Sequence, residues 1–211
     1  MFVEGRVELV PIEAIIFDLG NTLVPFSLER LQPWLKPCRS SAESLMQQFE
    51  LGEVEPGQFK QAMCRLMRMK AADFSPWWNS IFESEWLVPQ LWIERLMGRY
   101  RVGLMSNTNP LHFAWLERRH PLLGRFAFRI LSHEVGAAKP APLIYQAAEQ
   151  AAGCRPASIL YLDDIAEFVA AARRRGWQAE QFRGATAFAR LAARHHLGLR
   201  APARRPVPAG R

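Results

Sequence analysis

The sequence of 211 residues contains few cysteines and lysines, and it has no long hydrophobic run. Its three cysteines, Cys38, Cys64 and Cys154, are odd in number and widely spaced, so they form neither a disulfide framework nor a pair with metal-ligand spacing. No apolar stretch approaches the roughly 18 residues of a membrane span. The first ten residues carry three charged side chains where a signal peptide needs an apolar centre. We therefore expect a cytoplasmic protein that does not bind membranes.

The net charge of +7 is concentrated at the C-terminal end of the chain. Residues 173–211 hold ten arginines and one glutamate, an excess larger than the net charge of the whole chain. Such a basic segment can bind nucleic acid, but no aromatic residue accompanies the arginines from residue 198 onward to stack on bases. We therefore expect residues 198–211 to be a flexible basic tail, and we expect no nucleic-acid partner. The oligomeric state is left open.

Four short apolar runs and a weaker fifth segment predict the strands of a parallel sheet, and helical patterns lie between them. The runs cover residues 14–17, 102–105, 128–131 and 159–162, the weaker segment covers 177–182, and the later helices are predicted over 110–119, 142–152, 167–175 and 186–196. Strands that alternate with helices are typical of the α/β class. The sequence therefore predicts a Rossmann-like, doubly wound parallel sheet.

Residues 26–95 interrupt this alternation, because they contain no convincing strand and five of the seven tryptophans. Helix starts are predicted at the capping box 40–43, at Ser75–Pro76 and at Pro89. We predict that this stretch is a helical cap inserted into the α/β core. The predicted core then comprises residues 1–25 and 96–197.

Polar side chains follow four of the predicted strands, at the edge where an open parallel sheet binds its ligands. They are Asp18, the pair Ser106–Asn107, the loop 132–139 that ends in Lys139, and the pair Asp163–Asp164. Carboxylates that lie close together are readily neutralised by a divalent cation with oxygen ligands. A hydroxyl, an amide and an ammonium group facing that cation suit a phosphoryl group. The sequence therefore predicts a site for a cation and a small phosphorylated metabolite.

Four segments around these residues resemble the motifs of the haloacid dehalogenase (HAD) superfamily. They are FDLGNTL at 17–23, LMSNTN at 104–109, the pattern S-x-x-x-G-x-x-K-P-x-x-x-I-Y at 132–145, and LDDIAE at 162–167. The resemblance extends to about residue 197 and includes a helical cap of the subfamily IA type. Within the superfamily, residues 52–54 and 106–112 most resemble the bacterial α-D-glucose-1-phosphate phosphatase group.

The resemblance implies a Mg²⁺-dependent phosphatase, with a sugar phosphate as the favoured substrate and an aspartyl-phosphate as the intermediate. Asp18 would be the nucleophile, and Lys139 the second catalytic residue. The phosphoryl group would be bound by Ser106, Asn107 and Lys139. Mg²⁺ would be held by Asp18, the backbone carbonyl of Gly20 and Asp163, with Asp164 and Glu167 as outer-sphere candidates.

Gly20 departs from the pattern of most phosphatases in this superfamily, which carry a second aspartate there as general acid and then general base. Three alternatives follow. The substrate has a leaving group that departs easily, such as an anomeric hydroxyl or an acyl phosphate; a cap residue or His133 supplies the proton; or the protein binds phosphate ligands with little turnover.

Other chemistries of the superfamily fit the sequence less well. Dehalogenases also lack the second aspartate, but they work without a metal, so the pair Asp163–Asp164 argues against that reaction. Phosphonoacetaldehyde hydrolysis needs a cap lysine for a Schiff base, for which Lys36, Lys60 and Lys70 are the candidates. A nucleotide or cofactor phosphatase is a further alternative.

Overall fold

The computed structural model describes residues 10–199 and contains a five-stranded parallel sheet. Its strand order is β3-β2-β1-β4-β5, where the strands are β1 (Ala14–Phe17), β2 (Arg101–Ser106), β3 (Phe128–Leu131), β4 (Ile159–Asp163) and β5 (Gln178–Gln181). The predicted α/β class and doubly wound sheet are confirmed. Of the predicted tail 198–211, all but the first two residues lie outside the described range.

Helices connect the strands and cover both faces of the sheet. They are α1 (Gln32–Leu35), α2 (Arg39–Glu50), α3 (Pro56–Met67), α4 (Ala71–Asn79), α5 (Gln90–Met97), α6 (Pro110–Arg119), α7 (Ser132–Val135), α8 (Pro142–Ala152), α9 (Ala166–Arg174) and α10 (Ala185–Arg194). Four 3₁₀ turns, Leu28–Leu31, Lys36–Cys38, Pro121–Arg125 and Pro156–Ser158, complete the set. No helix within residues 10–199 combines the length and the hydropathy of a membrane span.

The two faces of the sheet carry separate hydrophobic clusters, because successive side chains of a strand point to opposite faces. Ile15 and Phe17 of β1 pack with residues of α5, α6 and α10, whereas Ala14 and Ile16 pack with residues of α8 and α9. All four side chains are fully buried. A continuous apolar strand is the pattern expected of a parallel sheet covered on both sides.

The cap helices α2, α3 and α4 enclose a third cluster, which is built around aromatic side chains. The rings of Phe49 and Phe59 stack with their centroids 3.9 Å apart, and Trp78 lies 5.0 Å from Phe59. This cluster ends at Ile81, while Trp92 and its neighbours on α5 pack with β1 and β2. The helices α2, α3 and α4 thus share one core, and the cap bounds 26–95 stay a prediction.

Two of the three predicted helix starts in the cap are wrong. α2 begins at Arg39, and Glu43 binds the Arg39 side chain at 2.8 Å instead of closing a capping box. Ser75–Pro76 lies inside α4, because the helix extends back to Ala71 and buries Phe74 beside the tryptophans one turn later. The start at Pro89 is confirmed, since this residue is the N-cap of α5.

Candidate active site

The site lies at the point where the winding of the sheet reverses, between β1 and β4. The chain passes from β1 to β2 and β3 on one side, and then returns to place β4 on the other side of β1. Asp18 follows β1, and its backbone N–H donates to the carbonyl of Leu162 at 2.8 Å. Asp163 is the last residue of β4. This edge of an open parallel sheet is where ligands bind.

Lys139 joins the two aspartates into one buried centre. Its Nζ lies 2.7 Å from Oδ1 of Asp18 and 2.6 Å from Oδ2 of Asp163. The three side chains are 2%, 8% and 0% exposed, in the order Lys139, Asp18, Asp163. A buried carboxylate needs a partner of this kind, because loss of hydration is costly for an isolated charge.

The electrostatics of this centre are set by burial and by its own charges. Burial raises the pKa of Asp18 to about 7, although the Lys139 ammonium opposes the rise and the Asp163 carboxylate adds to it. Burial also disfavours the charged form of Lys139, but the two carboxylates outweigh this effect and hold its pKa above the usual value. Lys139 therefore remains an ammonium ion at neutral pH.

The carboxylates of Asp18, Asp163 and Asp164 form a group that fits a divalent cation. One oxygen of each lies within 4.8 Å of the others, with Asp18 and Asp163 buried and Asp164 partly exposed. Burial and the Asp163 charge raise the pKa of Asp164, so a positive charge here would stabilise the carboxylate form. A cluster of carboxylate oxygens with access to solvent is the donor set that Mg²⁺ prefers.

Ser106 is the last residue of β2 and Asn107 follows it, and the two residues contribute differently. Ser106 is buried, and its Oγ lies 3.5 Å from the Asn107 carbonyl oxygen, a contact too long to hold the hydroxyl firmly. The side chain of Asn107 is engaged with the backbone of Lys139, to which it makes two hydrogen bonds of 3.0 and 2.7 Å. One N–H and one acceptor position of this side chain are therefore used by the backbone of Lys139.

Tyr161 belongs to the same buried network, although in the sequence it is only one residue of an apolar strand. Its hydroxyl group hydrogen-bonds Oδ2 of Asp163 and lies 3.3 Å from Nζ of Lys139. Burial and the neighbouring Asp163 charge raise its pKa well above 10, so the hydroxyl stays protonated. The sequence carries a signal for this contact, because Tyr161 and Asp163 are two residues apart on β4 and their side chains therefore point to the same face of the sheet.

The ring of Phe26 fills the space beside Gly20, which stands at the position of the missing second aspartate. A Cβ atom on Gly20 would lie 2.5 Å from Cε1 of Phe26 and 2.9 Å from its Cδ1. The chain reaches Phe26 through a turn in which Asn21 adopts a left-handed conformation and its side chain accepts the Phe26 N–H. The turn therefore holds the ring where a side chain at position 20 would begin.

A cavity of about 290 Å³ lies between the core and the cap, and Leu19 and Gly20, which follow Asp18, form part of its wall. From the core it is lined by Leu19, Gly20, Ser106, Asn107, Thr108, Asn109, His112 and Leu116, and from the cap side by Phe26, Leu28, Glu43, Met46, Gln47, Glu50, Trp78, Ile81 and Phe82. Nothing in the sequence distinguishes Glu50 from the other charged residues of the predicted cap. The cavity offers a place for the non-reacting part of a substrate.

Several other predicted candidates do not line this cavity. His133 donates through Nδ1 to the Thr108 carbonyl at 3.0 Å and is absent from the cavity wall. The cap lysines Lys36, Lys60 and Lys70 are also absent from it, so the Schiff-base chemistry gains no support. Glu167 is exposed in the first turn of α9.

Similarity to known proteins agrees with this architecture. A family model described as a haloacid dehalogenase-like hydrolase matches residues 91–176. The D-ribitol-5-phosphate phosphatase of Bacteroides thetaiotaomicron is 25% identical over 171 residues, which cover 72% of this chain and 83% of that protein. Phosphatase MT3486 of Mycobacterium tuberculosis is 29% identical over 175 residues, which cover 82% of this chain and 74% of that protein.

A solved structure shows the same arrangement of elements. A HAD family enzyme from Bacteroides thetaiotaomicron, in complex with magnesium and inorganic phosphate, matches with a TM-score of 0.70 and 25% identity. The match covers 82% of this chain and 94% of that one. The chain is thus similar to haloacid dehalogenase-like hydrolases over residues 91–176, and to this HAD family enzyme in its fold.

Proposed function

We propose that this hydrolase is a Mg²⁺-dependent phosphatase that cleaves a small phosphate monoester through an aspartyl-phosphate on Asp18. The observation that carries the proposal is the position of Lys139, whose ammonium group lies between the carboxylates of Asp18 and Asp163. This arrangement places a nucleophile, a fixed positive charge and a set of cation ligands at one edge of the sheet. The phosphatases among its relatives support the same reaction class.

Mg²⁺ would be held by Asp18, the backbone carbonyl of Gly20 and Asp163, with Asp164 in the outer sphere. When bound, the ion withdraws charge from the phosphoryl oxygens and reduces their repulsion of the attacking carboxylate. The clustered carboxylate oxygens support this assignment, as does the relative that was crystallised with magnesium and phosphate. A cation at these ligands also favours the charged form of Asp18.

The residues of the chain then have separate tasks in phosphoryl transfer. A carboxylate oxygen of Asp18 attacks phosphorus, and the ester P–O bond breaks. The Lys139 ammonium, the Ser106 hydroxyl and the backbone amide of Asn107 donate hydrogen bonds to the phosphoryl oxygens, where negative charge concentrates. Water then hydrolyses the aspartyl-phosphate and releases inorganic phosphate.

The substrate class we propose is a sugar or polyol phosphate. The cavity of about 290 Å³ is at the small end of the range for ligand pockets, which disfavours a nucleotide. Its wall combines aromatic residues such as Trp78 with the polar side chains of Gln47 and Asn109, a mixture suited to carbohydrate. The relative that acts on D-ribitol 5-phosphate and the resemblance to glucose-1-phosphate phosphatases both support this class.

The test compares wild type with Asp18→Asn on p-nitrophenyl phosphate, with Mg²⁺ and with a chelator. We expect turnover that depends on Mg²⁺ and falls by at least about 10³-fold in the variant, since the nucleophile is lost. A panel of sugar, polyol, acyl and nucleotide phosphates then identifies the substrate class. Equal activity of the variant would refute the proposal, and absence of turnover on every ester would favour a phosphate-binding protein.

A further inference from the structure

The proposed reaction lacks a proton donor at the position where related phosphatases carry one. The P–O bond breaks to leave an alkoxide unless a proton reaches the leaving oxygen, and this matters most for poor leaving groups such as sugar hydroxyls. Gly20 offers no side chain, and the Phe26 ring fills the space in which one would start. A donor must therefore come from another wall of the cavity.

Two carboxyl groups line that cavity, and they differ in availability. Glu43 is 58% exposed and paired with Arg39 at 2.8 Å. Glu50, about two turns further along α2, is half-buried and makes no side-chain hydrogen bond to any residue from 10 to 199. Glu50 thus has a free carboxyl group on the cap side of the cavity, whose core side includes Gly20, Ser106 and Asn107.

The end of α2 that carries Glu50 is held against the core by a close backbone contact. Gly52 has a φ of +75°, and a Cβ atom there would lie 2.2 Å from the carbonyl oxygen of His133 on α7. Only glycine permits this approach. Because Glu50 lies two residues before the contact, its backbone is fixed next to the loop that leads to Lys139.

The environment of Glu50 suits a group that must carry a proton. Burial raises its pKa, and the ammonium of Lys139 is near enough to oppose part of that rise. Glu50 is also the last residue of α2, and the C-terminal end of a helix disfavours negative charge, so this position favours the protonated carboxyl group as burial does.

We propose that Glu50 is the general acid of this enzyme, an inference that rests on the proposed phosphatase function. As an Asp18 oxygen bonds to phosphorus, the ester bond breaks, its electron pair passes to the leaving oxygen, and the Glu50 carboxyl proton passes to that oxygen. The alcohol departs and Glu50 is left as a carboxylate. It then takes a proton from the water that attacks the aspartyl-phosphate, which frees Asp18, releases phosphate and restores the acid.

The experiment measures kcat/KM for Glu50→Gln on p-nitrophenyl phosphate and on the best sugar or polyol phosphate of the panel. Because kcat/KM reports steps up to release of the alcohol, we expect a decrease of about 10²–10⁴-fold on the sugar ester and less than about 10-fold on the aryl ester. We also expect a burst of p-nitrophenol followed by slow turnover, because the base for the second step is lost. Glu53→Gln, an exposed residue three positions later, is the matched control.

These measurements test the general-acid role of Glu50 separately from the proposed phosphatase function. Equal decreases on both esters would show a binding or structural role for Glu50, and unchanged rates would show no role; either result overturns the inference while leaving the phosphatase intact. Asp18→Asn run in parallel tests the phosphatase itself. If that variant retains wild-type activity, the proposed function fails independently of Glu50.

Discussion

The side-chain amide of Asn107 makes both of its hydrogen bonds to the peptide groups of a single residue, Lys139. Nδ2 donates to the Lys139 carbonyl oxygen at 3.0 Å, and Oδ1 accepts the Lys139 N–H at 2.7 Å. Asn107 lies at the end of β2, and Lys139 lies in the loop before α8. The amide therefore fixes the backbone from which the Lys139 ammonium reaches Asp18.

Replacing Asn107 by alanine should weaken both folding and catalysis. Two hydrogen bonds are lost, each worth about 0.5–1.5 kcal/mol, so the free energy of unfolding should fall by about 1–3 kcal/mol. Urea denaturation measures this change, and kcat should fall because Lys139 is no longer held in place. Asn79→Ala, which removes one hydrogen bond inside the cap, is the control and should leave kcat unchanged. A normal kcat for Asn107→Ala would show that the loop before α8 keeps Lys139 in place without the Asn107 side-chain amide.

Removing the hydroxyl group of Tyr161 should lower the affinity for Mg²⁺, with a smaller effect on the free energy of unfolding. The hydroxyl donates to Asp163, and a partner of this kind orients a metal ligand, typically with a 10–100-fold effect on affinity. We expect that decrease in Mg²⁺ affinity for Tyr161→Phe by calorimetric titration. Tyr145→Phe, which loses a hydrogen bond to the Phe168 carbonyl, should retain wild-type affinity. Equal affinities in all three proteins would contradict the orienting role.

Adding a side chain at position 20 should destabilise the fold through Phe26. Gly20→Ala places a methyl group 2.5 Å from the ring, and overpacking of this kind costs about 1–3 kcal/mol. The double variant Gly20→Ala, Phe26→Leu should recover part of that loss, because leucine frees the space near Gly20. A double-mutant cycle by urea denaturation measures the coupling. Additive effects would mean that the ring moves aside without cost.

The stability of the protein should depend on pH through His112. This imidazole is buried between Asn109 and the Trp78 carbonyl, which Nε2 approaches at 3.0 Å. A carbonyl can only accept, so Nε2 carries the hydrogen, whereas Nδ1 accepts from Nδ2 of Asn109 at 3.0 Å and therefore carries none, which makes the ring neutral. Burial lowers the pKa of His112 from 6.5 to about 4.

Below pH 6.5 the unfolded chain therefore binds a proton that the folded protein rejects until about pH 4. Stability present above pH 6.5 is lost as the pH falls through this window, by about 3 kcal/mol for this one group. Denaturation curves of His112→Gln should show a smaller loss between pH 6.5 and pH 4 than wild type does. His196→Asn, at an exposed position, should retain the wild-type slope. If the stability of His112→Gln fell with pH as steeply as that of wild type, protonation of His112 would not be the cause of the loss.

The sequence predicted most of the core because the relevant signals are local. Four of the five strands coincide with short, mainly apolar runs. Asp18 and Asp163 lie at the ends of β1 and β4, and Lys139 lies between β3 and α8, so the three side chains could be expected to meet. The cap was harder, since its amphipathic helices have few strong start signals. Ser75–Pro76 looked like a helix start, but the packing of Phe74 and its neighbours extends α4 past it.

The sequence by itself determined the α/β class and the strand ends at which the acids and the amide lie, because strand periodicity and turn chemistry are encoded in neighbouring residues. Only the tertiary structure decided that the Asn107 side chain serves Lys139, that Phe26 closes the space beside Gly20, and that Glu50 faces the cavity. These contacts join residues from separate elements. Their geometry depends on how helices, turns and sheet pack together, which no short stretch of sequence contains.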